Sequence, residues 1–469
     1  MAWGGSMKKG LFLLSLIVTF YALDEAEALG ADAVVGLRYG SSVMSSANLE
    51  NDEGSGYEFG YFEDDRTFVS LGETDETAIT MEPAGRDGIQ VTITGTDRVL
   101  YESREDTLAV MPQGRDPVTW FRGNRYRGGF EYTVSGGGLQ VVNVVDLEDY
   151  VKGVLPSEMP GNWELEALKA QAVCARTFAC LTTKHLSAYG FDVCSSTDCQ
   201  AYSGIGEATS ATDRAVAETA GECVYYDGAL IEAVYHSSDG GATEDAKNVW
   251  GGDVPYLQGK KDPYEAMTSI PNYNYTVTYT YDQLTWVLQN SGYSIGTVCD
   301  VYVAERSALG NVTKVVFTDT SGKRLTVTGQ ACSNAFYSTT LGKNVRSLRF
   351  TISGGSGEGS GTAGGYVVNG TTVLSDLSGA AVISGSGTLG TLKGGTYSAI
   401  TSSGTETLAP SSGTASNSGS VPSGSGITIT GTGYGHHVGM SQYGAKAMAE
   451  QGYDYLDILE FYYTDVTIK

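Results

Sequence analysis

Basic residues are scarce in this chain: 29 Lys and Arg stand against 54 Asp and Glu, a formal charge of −25. That balance excludes nucleic acid and anionic lipid as principal partners, because phosphate binding is driven by Lys and Arg. Neutral glycans stay open. Cysteine is also sparse, seven in 469 residues and odd in number, so this is not a small fold stapled by disulfides. Long apolar runs are missing except at residues 11–23, and that run is short beside the roughly 20 residues of a bilayer span. It follows Lys8 and Lys9 and precedes Ala26 and Ala28. A short buried helix would explain the run alone. Its place behind two lysines favours an export signal over residues 1–29, with no stable membrane span once the signal is removed.

What is plentiful points to β structure. The 30 Tyr and 63 Gly suit strands joined by many turns, and the length suggests two or three domains. Residues 30–140 read as strands, with candidates at 33–39 and 89–94 and a loop or solvated edge over 51–65. Residues 118–133 carry Trp120, Arg122, Arg125 and Arg127, either as a sugar-stacking surface or, more in keeping with strand alternation, as packed strands with exposed arginines. A strand over 141–145 leads to Asp146 as a helix cap. An Ala-rich helix is expected over 163–184 behind an Asn162 cap, with Lys169, Arg176 and Thr183 on one side and Gln171 elsewhere. Ser210 to Asp213 has the form of a capping box, and the Asp227-Gly228 pair marks a hairpin over 223–236. That hairpin ends in the polar run Tyr235-His236-Ser237.

A further helix is expected near 281–290. Residues 354–426 then turn to Gly, Ser and Thr, a linker or repeat-like insertion with small strands at 366–374 and 380–383. Order returns over 427–469, with a helix over 441–450 and Asp454 capping the last. The expected fold is α+β, strand-rich sheets with a few helices framing a groove. The divisions are 30–140, a core over 141–353, the insertion, and a C-terminal return to that core.

One carboxylate carries the chemistry. Glu158 lies in Leu155-Pro156-Ser157-Glu158-Met159-Pro160, between two prolines and apolar neighbours. Proline fixes its own φ and biases the residue before it to extended backbone, so this stretch reads as a stiff turn. Desolvation there raises a carboxyl pKa and leaves a proton to donate near neutral pH. The plainer reading is a solvated Glu leading into a helix.

The run from Asp146 through Tyr150, Gly153 and Glu158 to Pro160 resembles the SpoIID/LytB family, relatives of sporulation stage II protein D. So do Leu168-Lys169-Ala170-Gln171-Ala172, Arg176, Cys199-Gln200-Ala201-Tyr202-Ser203-Gly204, Tyr235-His236-Ser237-Ser238, and Gly439-Met440-Ser441-Gln442-Tyr443-Gly444, in that order. The resemblance implies an exported lytic transglycosylase that cuts peptidoglycan strands already stripped of stem peptides. It would act in the cell wall or between the two membranes of a developing spore, alongside other wall hydrolases. Glu158 would be the acid and base. Lys169, Gln171, Arg176, Tyr235, His236, Ser237, His436, Ser441 and Gln442 would meet substrate. Gly435-His436-His437 stands where the family reads Gly-His-Gly, so His437 occupies a position suited to positive φ. His185, Cys194 and Cys199 resemble a structural zinc site of some members. A Cys194–Cys199 disulfide or free thiols are the alternatives, and Asp198 stands where the family often has His.

Two rivals accompany the enzyme reading. One is a glycan-binding wall protein or amidase enhancer without turnover. The other is a spore-coat structural protein, suggested by the Gly/Ser/Thr insertion.

Overall fold

The computed structural model describes residues 32–85, 88–354 and 426–469, together with the backbone of short strands between 366 and 408. The expected signal segment and most of the Gly/Ser/Thr linker lie outside the described residues. The small strands expected at 366–374 and 380–383 form as Tyr366–Val368 paired with Thr372–Leu374, and as Ala381–Ile383 paired with Leu389–Thr391.

Residues 32–146, with Val193–Cys194 added at one edge, build two sheets, one of seven and one of six strands. Ala47, Leu49, Ile79 and Met81 from one and Tyr57, Phe59 and Tyr132 from the other enter one buried cluster. The stretch expected as a loop over 51–65 instead carries the end of strand Ala47–Glu53 and all of Tyr57–Phe62. Tyr57 and Phe59 alternate into the core, and that burial outweighs the acidic composition around them. Residues 118–133 are packed strands, with Arg125 ion-paired to Asp52.

Strand Gly138–Asp146 is buried on both faces. Leu139, Val141 and Val145 face the main core, while Val142 and Val144 pack with Phe191. The strand runs straight into helix α1, Leu147–Glu158, where Asp146 Oδ1 accepts from the N–H groups of Glu148 at 2.9 Å and Asp149 at 3.1 Å. The predicted turn at Glu158 is the last turn of α1, with Pro156 inside the helix. Proline removes one backbone donor there, but burial of Tyr150, Val151, Val154 and Leu155 holds the turn helical.

Helix α2 spans Leu165–Leu181, shorter at both ends than expected. Asn162 does not cap it. Glu164 takes that position and makes no side-chain cap bond. Helix Ser210–Glu218 is capped by Thr209, one residue earlier than the sequence suggested. The Asp227-Gly228 hairpin forms with both residues at positive φ, 50° and 78°, but its second strand ends at Leu230. Tyr235–His236 pairs instead in parallel with Met440–Ser441.

The C-terminal segment thus completes the core. Strand Gly426–Thr432 lies between Asn274–Thr280 and Phe350–Ser353. Because Phe350–Ser353 and Gly426–Thr432 are antiparallel neighbours, the Gly/Ser/Thr stretch leaves and re-enters the fold at one edge. Helix Gln442–Glu450 packs on α2 and is capped by Ser441, whose Oγ accepts from Gly444 N–H at 3.1 Å. Among the described residues no helix is long and apolar enough to cross a membrane. The fold is α+β, as expected.

Candidate active site

Glu158 ends α1 half-buried, where three elements converge. Its Oε1 accepts from Ala201 N–H at 2.8 Å, and its Oε2 lies 3.3 Å from Gln442 Nε2. The same Gln442 nitrogen lies 3.4 Å from Gln171 Oε1. Tyr235 also hydrogen-bonds Glu158. Gln200 donates to the Tyr235 hydroxyl at 3.1 Å, which leaves the Tyr235 proton for the carboxylate. Gln200 is oriented in turn by Tyr150, whose hydroxyl donates to Gln200 Oε1 at 3.1 Å. Burial raises the Glu158 pKa, opposed by the bonds from Ala201, Gln442 and Tyr235. None of these partners is charged.

The histidines beside this site are neutral. His236 is buried, with Nδ1 3.1 Å from Val438 O, and burial with the neighbouring His436 and His437 holds its pKa well down. Burial lowers His436 to about 4 and His437 to about 3. Val438 N–H donates to His436 Nδ1 at 3.1 Å, so Nε2 carries the proton and donates to Tyr235 O at 2.9 Å. That bond fixes the strand bearing Tyr235. His437 adopts φ 68°, the left-handed conformation expected of the position.

The other candidates are placed differently. Arg176 is fully buried, its Nε and Nη2 each 2.7 Å from the Glu148 carboxylate and its Nη1 3.1 Å from Glu222 O. Three of its five donors are committed within the scaffold and the side chain is fully buried, so it presents no guanidinium to a groove. Lys169 is held by Glu166 at 2.9 Å and Glu218 at 2.7 Å. Ser441 donates to Glu265 at 2.6 Å besides capping its helix. The structure therefore brings Gln171, Tyr235 and Gln442 to Glu158, and leaves Lys169, Arg176 and Ser441 in structural contacts.

Sequence reasoning quoted Tyr150, Gln200 and Ala201 within motifs but gave them no role, missing the backbone N–H of Ala201, which no side chain announces, and the support from Tyr150 and Gln200. It also missed the buried carboxyls of Asp239, Asp262 and Glu265, which match no motif. Glu265 accepts from Asp239 N–H at 2.7 Å, Gly240 N–H at 3.0 Å, Ser238 Oγ at 2.9 Å and Ser441 Oγ. It ties the loop after His236 to the helix bearing Gln442.

A cavity of about 430 Å³ adjoins the site, bounded by Ser237, Tyr273, Tyr434 and Tyr443 among others. A larger opening of about 570 Å³, at Tyr61, Phe62, Glu63, Asp64 and Asp65, shares no residue with the surroundings of Glu158.

Past the C-terminal end of α2 in the chain, His185, Cys194, Asp198 and Cys199 present ligand atoms within 4.8 Å of one another. His185 Nε2 has no hydrogen-bond partner and lies 3.5 Å from Asp198 Oδ2. Cys194 and Cys199 form no disulfide, and the hydrogen bond from Cys199 holds the Cys194 thiol well below its usual range. Two thiols, an imidazole and a carboxylate are a donor set that suits tetrahedral zinc.

A family model described as SpoIID, stage II sporulation protein, matches residues 135–226, the stretch holding α1, Glu158, α2 and the Cys194–Cys199 loop. The chain is 34% identical to an amidase enhancer of Bacillus subtilis over 325 residues, 68% of this chain but only 40% of that protein. It is 30% identical to an uncharacterized protein of Brachyspira hyodysenteriae over 402 residues, 84% of this chain and 83% of that one. Stage II sporulation protein D of Bacillus subtilis is 29% identical over 348 residues, 70% and 76% of the two chains. The chain belongs to the SpoIID family.

Proposed function

We propose that this protein is an exported cell-wall enzyme, a lytic transglycosylase that cleaves peptidoglycan strands freed of stem peptides. The observation that carries the reading is Glu158: a half-buried carboxyl with a raised pKa, held by neutral donors and without a carboxylate among the groups that set its ionisation.

A glycosidase that uses water or a covalent intermediate needs two carboxylates across the scissile bond. One suffices if the sugar supplies the nucleophile. Protonated Glu158 gives its proton to the glycosidic oxygen as the bond to the muramic C1 breaks. The muramic 6-hydroxyl oxygen attacks C1, and its proton passes to the Glu158 carboxylate. The acid is regenerated, no water is consumed, and the product ends in a 1,6-anhydro ring. Ala201 N–H, Gln442 and Tyr235 steady the carboxylate between the two transfers, and the neutral histidines place no competing acid beside it. The carboxyls nearest in sequence, Glu164 and Glu166, belong to the start of α2, where Glu166 is engaged by Lys169 and by Tyr455 N–H.

His185, Cys194, Asp198 and Cys199 would hold zinc in a structural role, pinning the loop that leads to Ala201. Zinc would supply four strong bonds there and no step of the reaction.

The name of the amidase enhancer relative favours a second reading, a glycan-binding protein that promotes a partner amidase without turnover. Mass analysis of products from denuded strands separates the two. Anhydro ends that vanish in Glu158→Gln support the enzyme. Binding without any new ends supports the enhancer, and reducing ends mean a hydrolase.

A further inference from the structure

The cavity of about 430 Å³ combines aromatic and neutral polar groups with one cation. Tyr273, Tyr434 and Tyr443 line it with Asn272, Ser237 and Arg346. Aromatic rings with hydroxyl and amide groups suit a sugar, and the volume falls within the usual range for ligand pockets. The cavity lining neighbours the elements that hold Glu158. Tyr443 N–H donates to Ser237 O at 3.0 Å, and Gln442, the preceding residue, reaches Glu158. Trp163, just past Glu158, packs on Tyr443 with ring centroids 4.9 Å apart.

Arg346 is the one cation in the lining of this cavity, and it is not neutralised as several arginines of this acidic chain are. Arg98, Arg125, Arg127, Arg176 and Arg214 each pair with a carboxylate. Arg349 is bonded to Leu309 O at 2.9 Å. The Arg346 guanidinium pairs with no carboxylate among the described residues. Glu265, which lies close enough to bear on Tyr273, is occupied by hydroxyl and backbone donors instead. A half-buried guanidinium left open in a sugar-like pocket selects an anionic sugar substituent, because arginine and carboxylate form a strong bidentate pair.

A glycan strand of N-acetylated sugars offers one such group. The lactyl ether of muramic acid carries a carboxyl that is an uncharged amide while a stem peptide is attached, and a free carboxylate once the peptide is removed. We propose that Arg346 is the specificity residue that reads this free lactyl carboxylate, with the ring held among Tyr273, Tyr434 and Tyr443. The assignment rests on the reading of the ligand as a glycan strand and explains why peptide-free strands would be preferred.

The test compares muramic-containing oligosaccharides with free lactyl carboxylates against the same compounds capped as methylamides, titrated into the full chain by calorimetry. Wild type binds the free form about 10–100-fold tighter, the range of a charge-assisted pair. Arg346→Gln binds both forms alike at the weaker value, and Arg346→Lys keeps part of the preference. Equal binding of the two forms by wild type, or a preference that survives in Arg346→Gln, overturns the assignment. Product analysis on the same compounds keeps the two claims apart. Anhydro ends with no carboxylate preference sink Arg346 and leave the enzyme standing. A carboxylate preference without any cleavage does the reverse.

Discussion

Glu158 and Glu265 are both carboxyls withdrawn from water, and burial raises both pKa values. They differ in what surrounds them. Glu265 is buried, has four donors tied to it and has Asp262 as a like-charged neighbour that pushes its pKa further up. Glu158 keeps one face half-open, takes a few neutral donors and has no charged neighbour acting on it. A perturbed acid alone therefore does not mark a catalyst, since structural networks perturb acids too. A face that substrate can reach, with a proton not already committed, separates the two.

The largest expected effect falls on the open member of the pair. Glu158→Gln lowers strand cleavage by at least about a hundredfold, the usual contribution of a general acid, while the melting temperature holds. A comparable loss of cleavage in a well-folded Glu265→Gln would break the comparison. Arg176 sits with the scaffold. Arg176→Ala costs about 3–5 kcal/mol because Glu148 is stranded, whereas Arg176→Met with Glu148→Leu recovers most of it in urea titrations. If the double variant is stable but cannot bind glycan, Arg176 belongs to the site after all. Glu265→Gln turns one acceptor oxygen into a donor facing donors, and a loss of about 2–3 kcal/mol is expected.

Acidity sharpens the contrast. Folding lowers the pKa of His236, His436 and His437, so the stability they confer is present above the unfolded value near 6.5. It is lost as pH falls toward about 4 and then about 3, by up to about 1.4 kcal/mol per pH unit for each histidine while it titrates. Glu158 runs the other way. Its folded pKa is raised, so its stabilising share is present below the unfolded value and fades as pH rises through the folded one. Cleavage fades over that same upper window, because the acid must be protonated. Denaturation midpoints and rates across pH 4 to 8 read both. The smallest effect belongs to the insertion. Replacing residues 355–425 by a short turn changes stability by about 1 kcal/mol or less, since its ends meet on adjacent strands.

Much of the fold was legible because local patterns and tertiary burial agree. The Tyr281–Asn290 helix, the Asp454 cap and the Asp227-Gly228 turn form as read. Failures came where burial overrode local chemistry: Pro156 sits inside α1, and Tyr57 and Phe59 pull an acidic stretch into a sheet. At the site, ordered motifs pointed to Glu158, Tyr235 and Gln442, and the fold gathers these three. Helical spacing put Arg176 on a face but could not show that Glu148 and Glu222 would close on it. Ala201 acts through a backbone N–H, and Arg346 draws its meaning from tyrosines distant in sequence, so neither leaves a local signature.

The most direct measurement is digestion of denuded strands in water enriched with heavy oxygen. If Glu158 shuttles a single proton while the 6-hydroxyl closes the ring, wild type releases fragments carrying no solvent oxygen at the new end. Heavy oxygen at the muramic C1 of those fragments would mean that water is the nucleophile, and would contradict the one-carboxylate mechanism.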